Sequence, residues 1–207
     1  MYIGGTDSKG LHHLVSEVLD NSMDEAVAGF ATKIDIEFTS EEEISVSDNG
    51  RGIPIDFHPK FPNKTALEVI FCTLHAGGKF SNENYATSGG LHGVGISVVN
   101  ALSEKLTVEV VKNRACYSQS FSKGIPIDKL KKIGKKAIKS GTKITFSPDR
   151  TVFGSNNFFN PEKVYELAKS KAYLFSGVTI DWKAPSIKDN QLNKIPAAER
   201  FHFENGL

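Results

Sequence analysis

Glu17 and Asn21 stand four residues apart inside an apolar-periodic stretch, so on a helix they are neighbours on one face. A carboxylate there can accept a proton, and an amide oxygen can ligate a hard cation. The pair is a compact tool for activating water beside a metal. Two further strings follow it: Asp48-Asn-Gly-Arg-Gly-Ile-Pro54 and Gly89-Gly-Leu-His-Gly-Val-Gly95. Together the three specify a nucleotide site. It is neither a P-loop nor a Gly-x-Gly-x-x-Gly site, because Gly77-Gly78-Lys79-Phe80 lacks the earlier glycine and the Ser/Thr that a P-loop requires.

The helix that must carry the pair spans residues 11–28, with Leu11, Leu14, Val15, Val18, Ser22 and Ala26 on one stripe and Gly29 placed for a C-terminal cap. On a wheel of about 100° per residue the stripe centres near Ser22. Asn21 falls at its edge, Glu17 somewhat further round, and Asp20 and Asp24 further still. An edge position suits a site residue, held by the core yet open to a pocket; a solvated acidic face is the competing account of the helix taken alone. Glu25 falls inside the apolar sector, so its charge needs a partner. Arg51 is the nearest candidate.

Asp48 shares the parity of Ile44 and Val46 and therefore points toward the core. Two readings stand for it: an Asp-Asn-Gly turn, or a buried acceptor for an exocyclic amino group such as adenine offers. Gly50 and Gly52 would let a flat ligand approach the backbone. Thr142 lies on the same strand face as Ile144 and Phe146; its hydroxyl either supports Asp48, directly or through a water, or bonds to backbone. The glycine string at 89–95 leads into a helix, where backbone N–H groups favour an anion; a flexible linker is the alternative. Lys79 and Tyr85, in the same loop, are placed to contact phosphate or to be solvated. For His92, backbone involvement is favoured over imidazole chemistry. His12, His13, His58, His75 and His202 form no metal set.

Around these residues the pattern predicts strands at 33–38, 44–48, 105–111, 115–121, 141–147 and 178–182, and another entering a turn after Phe201. Helices are expected at 65–74, 94–102 and 161–173, the last with Pro161 in its first turn. Residues 76–95 form a long glycine-rich loop, and the lysine-rich stretch 124–140 is expected to be a solvated hairpin connection. Strands in a run, with helices early and late, make an α+β fold: a two-layer sandwich with helices on one face of a mixed, mostly antiparallel sheet.

A chain of 207 residues fits one large domain. Its net charge of +1 argues against a dedicated nucleic-acid arm or membrane-surface patch and leaves room for a local basic patch. Two cysteines, Cys72 and Cys116, make neither a disulfide framework nor a metal site. No apolar run approaches the ~20 residues of a membrane span and no signal peptide opens the chain, so a cytoplasmic location is expected.

In this order and spacing the three strings resemble the ATPase fold shared by type II topoisomerase B subunits, mismatch-repair ATPases, heat-shock chaperones and histidine kinases. Glu17 to Gly29, Asp48 to Pro54, Leu74 to Phe80 and Ser88 to Leu102 are similar to the bacterial gyrase and topoisomerase IV B subunits. Phe80 to Tyr85 and Arg200 to Leu207 resemble the topoisomerase IV kind more closely. The resemblance covers essentially the whole chain.

It implies roles for particular residues. Glu17 would be the general base, Asn21 the ligand to a Mg²⁺ that bridges the triphosphate of ATP, and Asp48 the acceptor from adenine, with Thr142 supporting it through a water. Arg51 would pair with Glu25 and lie over the adenine pocket beside Gly52, Ile53 and Pro54. Gly90, Leu91, His92, Gly93, Val94, Gly95 and Ile96 would wrap the phosphates as part of a lid, helped by Lys79 and Tyr85. Implied partners are a topoisomerase A subunit, DNA, a second B subunit in a homodimer, and aminocoumarin-type inhibitors.

Three departures from the family pattern are visible. A dimerising arm is expected before Met1, and a second subdomain carrying a lysine to the γ-phosphate is expected beyond Leu207. Lys112 also stands where many relatives have arginine. The stretch 1–207 is therefore expected to be a single ATP-binding domain, lacking the arm, transducer and DNA-cleavage domains, that binds nucleotide, hydrolyses it poorly and stays largely monomeric. The competing assignments are a gyrase B subunit and, in another class, a nucleotide-sensing chaperone-like clamp with no DNA role.

Overall fold

A computed structural model describes residues 3–74, 95–184 and 195–204. The first helix, α1 (Ser8–Val27), starts three residues before the apolar stripe because Asp7 caps it, its carboxylate accepting from Gly10 N at 3.0 Å. At the other end Gly29 adopts φ +78°. Gly29 N then donates to Ala26 O and Phe30 N to Glu25 O, which closes a Schellman motif. Leu11, Leu14, Val15, Val18, Leu19 and Met23 of α1 are buried. Each such side chain contributes about 1.5–3 kcal/mol, so the helix that carries Glu17, Asn21 and Ser22 is held firmly against the sheet.

The sheet has nine strands among the described residues. In chain order they are β1 (Lys33–Phe38), β2 (Ile44–Asp48), β5 (Ser103–Lys112), β6 (Ala115–Ser122), β7 (Ile125–Pro126), β8 (Lys131–Lys135), β9 (Gly141–Pro148), β10 (Thr179–Lys183) and β11 (Ala198–His202). Their spatial order is β11-β10-β1-β2-β9-β5-β6-β7, with β8 also on β6. Only β1 and β10 pair in parallel; the other neighbours are antiparallel. A separate hairpin, β3 (Phe57–His58) with β4 (Phe61–Thr65), precedes α2 (Ala66–Cys72). The remaining helices are α3 (Gly95–Ala101), α4 (Arg150–Phe153) and α5 (Pro161–Leu174).

Alternation sorts the sheet into two faces. Ile34, Ile36, Phe38, Ile44, Val46, Val108, Val110, Ile144 and Phe146 are buried toward the helices. The layer closes with aromatic contacts: Phe71 of α2 stacks on Phe121 of β6, and Trp182 of β10 meets Phe38 and Tyr165 edge-on. The expected α+β sandwich is observed.

The structure departs from the sequence pattern at three places. The stretch 124–140 is not only a connection: it contains β7 and β8 and extends the sheet edge. The β3–β4 hairpin and the single turn of α4 are too short to give a periodic signal. Of the two alternatives for the Thr142 hydroxyl, a bond to backbone is the one observed: it accepts from Ile53 N. The expected loop at 76–95 lies outside the described residues apart from Gly95. Among the described residues no helix is long and apolar enough to cross a membrane.

Candidate functional site

The site is built where α1 crosses the ends of β2 and β9. Asp48 closes β2, is only 5% exposed, and sits opposite Thr142 in the β2–β9 register. Its Oδ1 accepts from Gly50 N at 2.9 Å and its Oδ2 from Ser22 Oγ at 3.1 Å. Burial pushes the carboxyl up to about 6. The bonds from Gly50 and Ser22 pull the other way, and the nearby charge of Glu25 adds to the rise. An acceptor-rich group held this way has been desolvated in advance of meeting a donor.

Thr142 is buried, but its Oγ1 accepts from Ile53 N at 3.1 Å. The hydroxyl that reaches Asp48 is that of Ser22, which in the sequence is only one member of the apolar stripe. Thr142 thus acts on the loop after β2 and ties Ile53, itself buried, to β9. Gly141 can only be glycine here: a Cβ would lie 2.2 Å from Asp48 O.

The loop is clamped from two sides. Glu25 receives Arg51 N (2.9 Å), Nε (3.2 Å) and Nη2 (2.7 Å), a forked pair plus a backbone bond. The guanidinium also lies 3.8 Å above the Phe30 ring, which the Schellman turn delivers there. This fulfils the expectation that Glu25 needs Arg51. From the other side Lys112, at the end of β5, donates to Arg51 O (2.8 Å) and Gly52 O (2.7 Å), and burial lowers its pKa. Gly52 and Pro54 therefore sit in a loop with little freedom.

Glu17 and Asn21 lie one turn apart on α1, both partly buried. Glu17 has a partner that the sequence expectations omit: His13 Nε2 is 3.0 Å from its Oε1. The i,i+4 spacing of the two is visible in the sequence, but a lone histidine one turn before a carboxylate carries no metal-ligand signal. The other Glu17 oxygen packs on the start of α3, where a Cβ on Gly95 would fall 1.9 Å from Oε2. Ile96 is buried next to it. Lys79, Tyr85, Gly90, Leu91, His92, Gly93 and Val94 lie outside the described residues. Among the described residues no cluster of three His, Cys, Asp or Glu side chains is placed to hold a metal.

One frame thus joins a buried acceptor, a restrained loop and a carboxylate beside an amide. The solved 43K ATPase domain of Thermus thermophilus gyrase B, in complex with an aminocoumarin, superposes with a TM-score of 0.81 at 39% identity, over all of this chain and 50% of that one. Over its full length the chain is 55% identical to the B subunit of DNA topoisomerase 4 from Bartonella bacilliformis and 58% identical to that from Rickettsia felis. It is 48% identical to the B subunit of DNA gyrase from Campylobacter jejuni. It spans 26–31% of the length of these curated relatives. The profile of the histidine kinase-, DNA gyrase B- and HSP90-like ATPases matches residues 6–152, which include α1, Asp48, Gly95 and Thr142. With sequence and fold in agreement over the elements that form the site, the chain belongs to the histidine kinase-, DNA gyrase B- and HSP90-like ATPase family.

Proposed function

We propose that this chain is the ATP-binding region of a type II DNA topoisomerase B subunit of the topoisomerase IV kind, located in the cytoplasm. The carrying observation is the buried Asp48 acceptor on the same frame as the Glu17–His13 pair. The higher identity to topoisomerase IV B subunits than to the Campylobacter gyrase protein supports the narrower assignment.

Asp48 takes the hydrogen bond of the adenine amino group, and guanine, with a carbonyl oxygen there, is refused. Ile53 and Pro54 cover the base, Gly52 lets it approach, and the Arg51–Glu25 pair holds that loop. Gly95 and Ile96, with Gly90, Leu91, His92, Gly93, Val94, Lys79 and Tyr85, bind the phosphates. Asn21 would hold Mg²⁺: its amide oxygen is a hard donor that suits such a cation. When bound, Mg²⁺ neutralises charge on the triphosphate. Glu17 removes the proton from the attacking water while His13 holds its carboxylate in place. Positioning and charge neutralisation carry most of the rate gain.

In the whole protein, ATP binding closes a dimeric gate around DNA and hydrolysis resets it, with cleavage performed by the A subunit. The aminocoumarin seen in the Thermus gyrase domain motivates the same inhibitor class here. The test is decatenation of interlinked DNA circles by the whole protein with its A-type partner. ATP-dependent decatenation that is lost in Glu17→Gln is expected. ATP turnover with no effect on DNA topology would contradict the reading and favour a nucleotide-sensing clamp.

A further inference from the structure

Charge is strongly segregated along this chain. Residues 123–143 carry eight lysines and one aspartate, while the rest carries seventeen basic and twenty-three acidic residues. The fold gathers the excess on one edge of the sheet. β8 pairs with β6 alone, through Ser118↔Lys131, Tyr117↔Lys132 and Ala115↔Lys135, so among the described residues its outer edge meets no strand. Residues 131–139 are all exposed. The β5–β6 turn joins the strip, because Arg114 N donates to Lys139 O and Lys136 N to Arg114 O, each at 2.9 Å. That sets Arg114 between Lys136 and Lys139.

Internal acids claim some of these cations. Lys131 pairs with Asp128, Lys136 with Glu109, and Lys123 with Glu104 and Asp149. Lys129, Lys132, Lys135, Lys139 and Arg114 pair with no acid among the described residues. Holding this many like charges on one edge is unfavourable unless an anion neutralises them. Guarding an edge against aggregation needs only one or two lysines.

We propose that this β6–β8 edge docks the sugar–phosphate backbone of duplex DNA. The inference rests on reading the chain as part of a topoisomerase, but it assigns a surface distinct from the nucleotide site. Five residues of β8 extend about 16 Å at ~3.3 Å each. Lys132 and Lys135 lie on that strand, and Lys129, Lys139 and Arg114 flank it, so the positive charge runs the length of the edge and past both of its ends. The unpaired N–H groups of the edge can donate to phosphate oxygens as well. Ile125, Ile127, Ile133 and Ile138 are exposed among the lysines. They are spread over β7, β8 and the following turn, and form no continuous apolar face of the kind that a lipid surface requires.

The test is fluorescence anisotropy with the chain and a labelled duplex of roughly 20 base pairs (about two turns) across a salt series. The variant changes Lys129, Lys132, Lys135 and Lys139 together to Gln. Its four positions are exposed, and its binding of a non-hydrolysable ATP analogue confirms folding. Wild type is expected to bind at low salt with a log–log salt slope near −4 to −5, flattened by roughly three to four in the variant, whose affinity falls more than tenfold. Absence of wild-type binding, or an unchanged variant, overturns the proposal. So does tighter binding to phosphatidylserine vesicles than to DNA at equal salt, or a variant that aggregates while keeping wild-type DNA affinity. Asp48→Ala separates the two readings, since it removes the nucleotide and leaves DNA binding intact.

Discussion

Ser22 Oγ donates to Asp48 Oδ2 at 3.1 Å, joining the middle of α1 to the end of β2 inside the core. The bond partly offsets burial, yet the Asp48 carboxyl still titrates near 6 against an ordinary 3.8. A raised folded pKa means stability that is complete below about pH 4 and lost as pH rises through 6. The loss is on the order of 3 kcal/mol. Asp48→Asn should therefore be more stable than wild type at pH 8 and equal to it at pH 4. Urea midpoints at the two pH values check this; equal stability at both would contradict it.

Nucleotide affinity should run in the opposite direction, because adenine's amino group needs an ionised acceptor. Binding of an ATP analogue should be flat above pH 7 and weaken by nearly tenfold per unit well below 6. A Kd unchanged down to pH 5 would remove Asp48 from the base-binding role.

Among the described residues, the partner of His13 is Glu17 Oε1, at 3.0 Å. His13→Ala should lower single-turnover hydrolysis by about tenfold with nucleotide Kd unchanged, against ~10²–10⁴-fold for Glu17→Gln. A His13→Ala protein with equal loss of affinity and rate would indicate a structural role only.

The contact of Glu17 with Gly95 makes a sharper variant. In Gly95→Ala the new Cβ would meet Glu17 Oε2 at 1.9 Å, so the carboxylate must swing away. An off-rotamer side chain costs only about 0.5–1.5 kcal/mol. Hydrolysis should fall more than tenfold while chemical denaturation shifts little. Normal turnover would show that this orientation of Glu17 is dispensable.

Glu25 and Arg51 are each about one-fifth exposed. Truncating either leaves a partly buried charge, at a cost of roughly 1–3 kcal/mol. Glu25→Ala/Arg51→Ala should lose less than the sum of the single variants, and a double-mutant cycle in urea reads the coupling directly. Additive losses would mean that the pair is incidental.

Much of this architecture is legible in the sequence. The alternation of Ile44, Val46 and Asp48 places the acid in the core, and the wheel places Asn21 at the stripe's edge, Glu17 somewhat further round, and Glu25 inside the stripe, where its charge needs a partner such as Arg51. Those inferences rest on periods that a few residues suffice to define. Ser22 is hidden because a hydroxyl on an apolar stripe reads as a small core residue; only the packing of α1 on β2, 26 positions later, reveals its partner. Thr142 faces the predicted way and takes the backbone alternative, but its partner, Ile53, comes from the loop after β2, a path that parity cannot supply. β8 is invisible because its five residues are exposed on both faces and leave no alternation to read.

Selection of adenine by Asp48 can be measured directly. Calorimetric titration of a non-hydrolysable ATP analogue with Mg²⁺, with GTP as competitor and Asp48→Ala as control, tests it most directly. Wild type is expected to bind the analogue, GTP not to displace it, and Asp48→Ala to abolish binding. Undiminished binding by Asp48→Ala, or equal competition by GTP, would contradict it.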